Sequence, residues 1–242
     1  MKMDKVISLT IIGVSIVISI GIFISRFEPK ENLVITDYEE NLEIESNIIT
    51  ISPIDSHDHM LGNPNARIIV VEFTHLECSA TRDFHQIMRR IIREYGPSGD
   101  VAWVIRHLPV PDLFENSELG AIASECVALY GRENNRPEIF WEYINALFSN
   151  IDLDISRNSL RETAINLGVD ENFYNRCIVN NPSRNKILQD IRDAEQLIRT
   201  DSQFMTPYNL IITNTGLQTR ISGSLDYFSM RNVIEEILEI IQ

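Results

Sequence analysis

The feature that most constrains the fold is a strand–helix–strand pattern. Ala66 to Thr74 is a mostly apolar run, typical of a strand buried on both faces of a sheet. Thr81 to Tyr95 carries apolar residues at helical spacing, and Val101 to His107 is a second apolar strand that ends before Pro109. Two such strands joined by a helix form a βαβ unit with a parallel strand pair and a right-handed crossover. The pattern therefore predicts an α/β fold.

The rest of the chain divides into a helical block and a strand-rich end. Between residues 115 and 202 the sequence carries helical patterns. Tyr208 to Thr213 and Leu217 to Ser222 then indicate a β-hairpin, and Phe228 to Ile241 a closing amphipathic helix. Because each half of the sheet is too small to stand alone, we expect one domain over residues 58–242. An all-helical insert at about 115–202 interrupts its sheet.

The amino-terminal segment predicts a membrane anchor. Val6 to Ile24 is a run without a charged residue, and as a helix it has about the length that crosses the hydrocarbon core of a bilayer. A cleavage site made of small residues does not follow the run. We therefore expect an uncleaved, single-pass transmembrane signal anchor at residues 1–26, with a cleaved signal peptide as the alternative. The domain would then lie outside the cytoplasm, in contact with the cell membrane only through this helix.

Residues 27–57 are predicted to be an acidic linker that holds the domain away from the membrane. The segment is rich in Asp and Glu and holds one lysine, Lys30, and such a charge balance keeps a segment solvated. Ile48 to Ile51, near its end, is a candidate for a short first strand. The whole chain has a net charge of -14 and lacks a cluster of Lys and Arg, which excludes a nucleic-acid surface.

Cys78 lies where the first buried strand is expected to meet the first long helix. Backbone N–H groups and the helix dipole at such a position favour a thiolate. A redox dithiol would need a second cysteine three residues on, but that position holds Thr81. The tetrapeptide Cys78-Ser79-Ala80-Thr81 therefore contains half of a redox pair.

The order of these elements resembles the DsbA-like branch of the thioredoxin superfamily over about residues 55 to 242. The stretches that carry the resemblance are Asp58 to Ala66, the strand and loop Val71 to Cys78, Glu125-Cys126-Val127-Ala128, Phe140-Trp141, Phe173 to Cys177, and Thr206-Pro207 before the hairpin. The resemblance implies a thioredoxin fold, βαβ–ββα, with an all-helical insert. It also implies a cis peptide bond before Pro207 and thiol–disulfide chemistry on other proteins without a cofactor.

The chain departs from the family pattern at two places. Phe204-Met205 stands where a glycine often precedes the Thr-Pro pair, and Thr81 replaces the second cysteine. In a disulfide oxidase the second thiol resolves the mixed disulfide that the first one forms. Since Thr81 cannot do this, Cys78 is left as a single nucleophile, and release requires an external thiol. The hydroxyl of Thr81 can still donate a hydrogen bond to the Cys78 thiolate.

The sequence predicts a membrane-anchored thiol–disulfide oxidoreductase that acts as a monothiol on extracytoplasmic protein thiols and disulfides. Cys78 and Thr81 form the catalytic site, and Thr206 and Pro207 bind an extended substrate segment. The alternative is a redox-inactive thioredoxin-fold module that binds extended polypeptides, as a chaperone does. Metal or Fe–S ligation through Cys78 is a weaker hypothesis, because neighbouring Cys or His ligands are missing from the sequence around it.

Cys126 and Cys177 lie on the apolar faces of two predicted helices in the insert. Free buried cysteines behave as small hydrophobic residues, which is one interpretation. In an oxidising compartment a structural disulfide between them is the favoured one. The disulfide also accounts for the odd number of cysteines, since it leaves Cys78 free.

The histidines give weak signals, and the sequence predicts no metal site. His57 and His59, close to two aspartates, are interpreted as surface-loop residues, with a metal site as the remote alternative. His75 is either an exposed loop residue or a group that tunes the thiolate. His85 is expected to be solvated or packed on its helix, and His107 has no evident partner.

Overall fold

The computed structural model describes residues 50–149 and 154–241. The predicted anchor at 1–26 and most of the predicted linker at 27–57 lie outside the described residues. Within the described part of the chain, no helix combines the length and the apolar character needed to cross a membrane.

The described residues form a mixed sheet whose strand order is β1-β3-β2-β4-β5. Its strands are β1 (His59–Leu61), β2 (Ile68–Thr74), β3 (Val101–His107), β4 (Tyr208–Thr213) and β5 (Gln218–Ser222). The parallel pair is β2 with β3, as the βαβ pattern predicts, and the other neighbours are antiparallel. Almost every residue of β2 and β3 is buried, because helices cover both faces of these central strands.

Seven helices surround this sheet in the described residues. They are α1 (Ser79–Tyr95), α2 (Ser117–Glu133), α3 (Ile139–Phe148), α4 (Arg157–Asn166), α5 (Glu171–Asn180), α6 (Arg184–Thr200) and α7 (Tyr227–Ile240). Helix α1 is the crossover between β2 and β3 and packs beside α7. The insert α2 to α6 sits between β3 and β4 in the chain, so the predicted thioredoxin fold with a helical insert is confirmed.

The two faces of the sheet carry different side chains, because residues alternate along a strand. Val71 and Phe73 of β2 face α6 and pack with its Ala194 and Leu197. Glu72 and its neighbours on the opposite side face α1. The candidate site and the polar groups beneath it lie on this second face.

The folded domain begins before the predicted boundary at residue 58. Ile51 and Ile54 pack against the core cluster of β2, β3, β4 and α6. Asp58 accepts hydrogen bonds from the guanidinium of Arg106, at 3.0 and 2.9 Å. Arg106 is itself buried and pairs with Asp193 of α6 at 2.7 Å. The prediction of a solvated linker is therefore wrong for Ile51 and Ile54, because their apolar side chains pack on the core.

Candidate active site at Cys78

Cys78 is the N-cap residue of α1, at the strand-to-helix junction where the sequence places it. Its backbone N–H donates to the carbonyl of His75 at 3.3 Å, and its own carbonyl accepts the first helical hydrogen bond from Arg82 at 3.2 Å. The side chain is half-buried and carries a free thiol. The sulfur is thus held at the positive end of a 17-residue helix while it remains open to solvent.

Thr206 lies against the sulfur from the other side of the site. The peptide bond between Thr206 and Pro207 is cis. The hydroxyl of Thr206 donates to Cys78 Sγ at 3.7 Å, and the thiol donates to the carbonyl oxygen of Thr206 at 3.6 Å. The structure therefore brings Cys78 together with the predicted residues Thr206 and Pro207, although Thr206 lies 128 positions further along the chain.

Thr81 lies one turn into α1 but has a different partner from the one predicted. Its side chain is 1% exposed, and its hydroxyl forms a hydrogen bond with the hydroxyl of Thr74, the last residue of β2. The side chain faces the sheet because the first turn of α1 packs directly on the end of β2. Among the described contacts, the hydroxyl that reaches the Cys78 sulfur is that of Thr206.

A buried acid lies on the same face of β2, two residues before Thr74. Glu72 is fully buried, and its Oε2 accepts a hydrogen bond from the indole N–H of Trp103 at 2.9 Å. Its Oε1 has no hydrogen-bond partner among the described residues. Burial raises the pKa of Glu72 to about 8, against the one bond from Trp103, which lowers it. Sequence reasoning missed this group, although an acid inside an apolar strand was visible.

His75 is buried rather than exposed. It is 3% exposed, and its ring lies tilted against Phe114 with 4.4 Å between the ring centres. Neither ring nitrogen has a hydrogen-bond partner among the described residues. Burial lowers the pKa of His75 to about 4. The imidazole is therefore neutral near pH 7, and of the two interpretations from sequence the exposed loop residue is wrong.

His85 is the second buried histidine near the site, on α1. Its Nε2 pairs with Asn145 Oδ1 of α3 at 2.7 Å, and its ring contacts Trp103 at 5.0 Å. Burial lowers the pKa of His85 to about 4, although the bond to Asn145 raises it. It is a packed residue, which was one of the two expectations from sequence.

The loop that holds Cys78 is fastened to the helical insert. Glu77 accepts hydrogen bonds from the backbone N–H and the side-chain amide of Asn116, at 2.8 and 3.2 Å. Asn116 is the N-cap residue of α2. The carboxylate next to Cys78 thus anchors the loop. On the other side of the site, next to Thr206, the apolar side chain of Met205 is exposed.

A disulfide joins Cys126 of α2 to Cys177 of α5, with 5.8 Å between their Cα atoms. Both cysteines are buried in the insert. Because the chain has three cysteines, this bond leaves Cys78 as the free thiol.

His59 and His107 form a buried polar cluster with Glu125, which corrects two expectations. His59, predicted in a surface loop, is 7% exposed, and its Nε2 lies 2.6 Å from Glu125 Oε1. His107, predicted without a partner, reaches the same oxygen at 3.1 Å. Burial alone would raise the pKa of Glu125, but the two imidazoles hold it well below its usual range. Burial lowers the pKa of His59. The charge of Glu125 and its hydrogen bond act in the opposite direction and raise that pKa. His57 is exposed, as expected.

The sheet order, the helical insert and a cysteine N-cap beside a cis-proline define a thioredoxin fold with a helical insert. A family model described as thioredoxin matches residues 55–207, which is more than half of the chain. The chain belongs to the thioredoxin family.

Solved structures give the same fold. DsbA2 of Pseudomonas aeruginosa is 21% identical with a TM-score of 0.58, over 77% of this chain and 97% of that one. BdbD of Bacillus subtilis in its oxidised form is 20% identical with a TM-score of 0.59, over 80% of this chain and 99% of that one. At this level of identity the likeness concerns the fold.

The curated relatives include sodium/proton antiporters. The Na(+)/H(+) antiporter NhaA 1 of Mycolicibacterium gilvum is 27% identical over 150 residues, which is 61% of this chain and 23% of the antiporter. NhaA 3 of Salinispora tropica is 26% identical over 144 residues, or 59% of this chain and 20% of the relative. The chain thus spans less than a quarter of the length of these relatives.

Proposed function

We propose that this protein is a thiol–disulfide oxidoreductase that acts on the disulfides of other proteins through one nucleophilic cysteine, Cys78. The observation that carries the proposal is the setting of the sulfur. It is half-exposed at the N-terminus of α1, and the hydroxyl of Thr206 donates to it at 3.7 Å beside the cis-proline. A hydrogen-bond donor and a helix N-terminus both favour the thiolate, which is the form that attacks disulfides.

The reaction needs two exchange steps. The Cys78 thiolate attacks one sulfur of a substrate disulfide, so that a mixed disulfide forms and the other substrate sulfur leaves as a thiolate. A thiolate from an external small-molecule or protein thiol then attacks the substrate sulfur of the mixed disulfide. This step forms a disulfide between substrate and external thiol and returns Cys78 as a thiolate. The two steps together free one substrate sulfur as a thiolate and leave the other bonded to the external thiol. A second external thiolate completes the reduction by releasing the oxidised external thiol, or another substrate thiolate displaces the external thiol and rearranges the disulfide.

The rest of the chain supports an external rather than an internal resolving thiol. Thr81, where a second cysteine would stand, has its hydroxyl buried against Thr74. Cys126 and Cys177 are bonded to each other inside the insert. Position 81 therefore offers no thiol, and the other two cysteines of the chain are bonded to each other.

The substrate segment is proposed to lie along Thr206 and Pro207. A polypeptide that pairs with the backbone there, as an added strand does, would place its disulfide beside the Cys78 sulfur. Met205, 59% exposed, offers an apolar side chain for the residues next to that disulfide.

We further propose that residues 1–26 anchor the protein in the cell membrane and that the domain works outside the cytoplasm. The uncharged run at Val6 to Ile24 supports the anchor. The Cys126–Cys177 disulfide supports the compartment, since structural disulfides persist where the surroundings are oxidising. The partners would be extracytoplasmic protein thiols and disulfides.

Turnover of insulin disulfides with and without glutathione tests the proposal. The full chain should reduce insulin only when glutathione is supplied, and Cys78→Ala should reduce it no faster than glutathione alone. The double variant Cys126→Ala/Cys177→Ala, compared at equal folded fraction, should keep the turnover of the wild type. Equal turnover by wild type and Cys78→Ala would reject the enzyme. A redox-inactive module that binds extended polypeptides would then be the better account.

A further inference from the structure

The cluster of His59, His107 and Glu125 has no part in the proposed thiol chemistry, and all three residues are buried. Two imidazoles and one carboxylate form a ligand set typical of zinc and related transition metals. We propose that these three residues bind one divalent transition-metal ion, with Zn²⁺ as the best fit. The ion would join β1, β3 and α2.

The sheet brings the two histidines together. Strand β1 is antiparallel to β3, and His59 lies opposite Ile105 in the register. His107 is two residues further along β3, so the side chains of His59 and His107 point to the same face of the sheet. Helix α2 crosses this face and places Glu125 between them. Three elements that are distant in sequence thus converge on one point.

The positions of the donor atoms suit a small cation. The Nε2 atoms of His59 and His107 lie 2.6 and 3.1 Å from the same carboxylate oxygen, and the three possible ligand atoms are all within 4.8 Å of one another. Bonds of about 2.0–2.2 Å around a tetrahedral zinc ion place its ligand atoms roughly 3.4 Å apart. An outward shift of well under 1 Å for each side chain, on that same geometry, would admit the ion.

The imidazoles can bind a metal ion without gaining or losing a proton. Each imidazole that donates its Nε2 proton to Glu125 would instead carry the proton on Nδ1 and offer the Nε2 lone pair to the metal. The carboxylate would exchange two N–H donors for a cation. A buried carboxylate is costly when only neutral groups oppose its charge, and a divalent ion removes that cost.

The surroundings hold the ligands in place. The ring of His59 stacks on Phe140 with 3.6 Å between ring centres, and the backbone N–H of His107 donates to Asp190 at 2.9 Å. Asp190 also lines a cleft, together with Asp58, Arg106 and Lys186 among others. In this cleft Lys186 pairs with both aspartates, and Arg106 pairs with Asp58. Three protein ligands leave one coordination position for water.

Calorimetric titration of ZnSO4 into chelator-treated protein tests the site. The full chain carrying Cys78→Ala is used, so that the free thiol cannot bind the ion. We expect saturable binding of one equivalent per chain. Glu125→Gln keeps the size of the side chain and its capacity for hydrogen bonds but removes the anionic ligand. It should weaken binding by at least about tenfold, the loss that even an outer partner of a metal ligand causes.

His57→Ala is the matched control, since His57 is exposed and lies two residues from His59. It should bind zinc as the parent protein does. Absence of one-equivalent binding, or equal affinity in the parent and Glu125→Gln, would overturn the proposal. If Glu125→Gln is misfolded by circular dichroism, crystals of the Cys78→Ala protein grown with ZnSO4 decide instead. An anomalous difference peak measured at the zinc edge, within bonding distance of Nε2 of His59 and His107, would support the site. A peak elsewhere, or no peak, would refute it.

Discussion

Replacing Glu72 by glutamine should change how the stability of the domain depends on pH. The pKa of this buried carboxyl is about 8 in the folded protein, against 4.5 for an ordinary glutamate. Between these two values the unfolded chain loses the proton while the folded protein keeps it. The free energy of unfolding therefore falls as pH rises through the window from about 4.5 to about 8.

The size of the effect follows from the two pKa values. Each pH unit well inside the window is worth ~1.4 kcal/mol. Integration from pH 5 to pH 7 gives a loss of about 2.5 kcal/mol in the wild type from this group alone. Glutamine does not ionise, and its amide oxygen can still accept the N–H of Trp103. The variant should therefore gain about 2.5 kcal/mol on the wild type over the same two pH units.

Other groups that titrate in this range cancel from the comparison. The pKa values of His75 and His85 are lowered to about 4, so the stability they contribute is present above pH 6.5 and is lost as pH falls. This dependence has the opposite sign, but the wild type and Glu72→Gln share it. The measured quantity is therefore the difference between the two unfolding free energies.

Guanidinium unfolding followed by tryptophan fluorescence at pH 5, 6 and 7 gives this difference. Glu115→Gln, which replaces an exposed acid, controls for the general loss of one negative charge. A difference between Glu72→Gln and the wild type that stays constant from pH 5 to 7 would refute the reasoning. It would mean that Glu72 ionises alike in the folded and unfolded states.

Three further variants test the site and its scaffold. Thr81→Cys places a second cysteine one helical turn after Cys78. We expect oxidised glutathione to close a disulfide between the two cysteines, seen as a loss of two hydrogens in the intact mass. Two thiols that stay free would contradict this expectation. Thr206→Val removes the hydroxyl that donates to the Cys78 sulfur, so iodoacetamide alkylation should slow about fivefold for a hydrogen bond worth ~1 kcal/mol. Thr206→Ser should keep the rate, and equal rates in all three proteins would show that the hydroxyl is irrelevant. Cys126→Ala/Cys177→Ala opens a cross-link between residues 51 positions apart, so denaturant unfolding should show a loss of ~4 kcal/mol; an unchanged midpoint would refute the estimate.

The sequence predicts the strands and helices that have strong local patterns. The apolar runs at β2 and β3 were predicted correctly as strands, because short runs of this kind are typical of strands that are buried on both faces of a sheet. The strand β1 was not predicted, since three residues, His59–Leu61, are too few for a periodic pattern. The first half of the candidate strand at Ile48 to Ile51 lies outside the described residues, and Ile51 packs on the core as irregular chain.

The environment of the polar groups depends on contacts that no local pattern shows. His59 is buried because Glu125 reaches it from a helix 66 positions away. The thiol of Cys78 meets Thr206 across 128 positions, and only the family resemblance placed the two together. The expected bond from Thr81 to Cys78 rested on their spacing along the helix, whereas the packing of α1 on β2 turns Thr81 toward Thr74.

The central claim is that Cys78 alone forms the covalent bond to substrate and that an external thiol breaks it. The most direct test is intact-mass analysis of the full chain after incubation with insulin in the absence of any other thiol. The account predicts one adduct of the chain with an insulin chain, mapped by peptide mass to Cys78 and dispersed when glutathione is added. No adduct from the folded wild type, or the same adduct from Cys78→Ser, would contradict it.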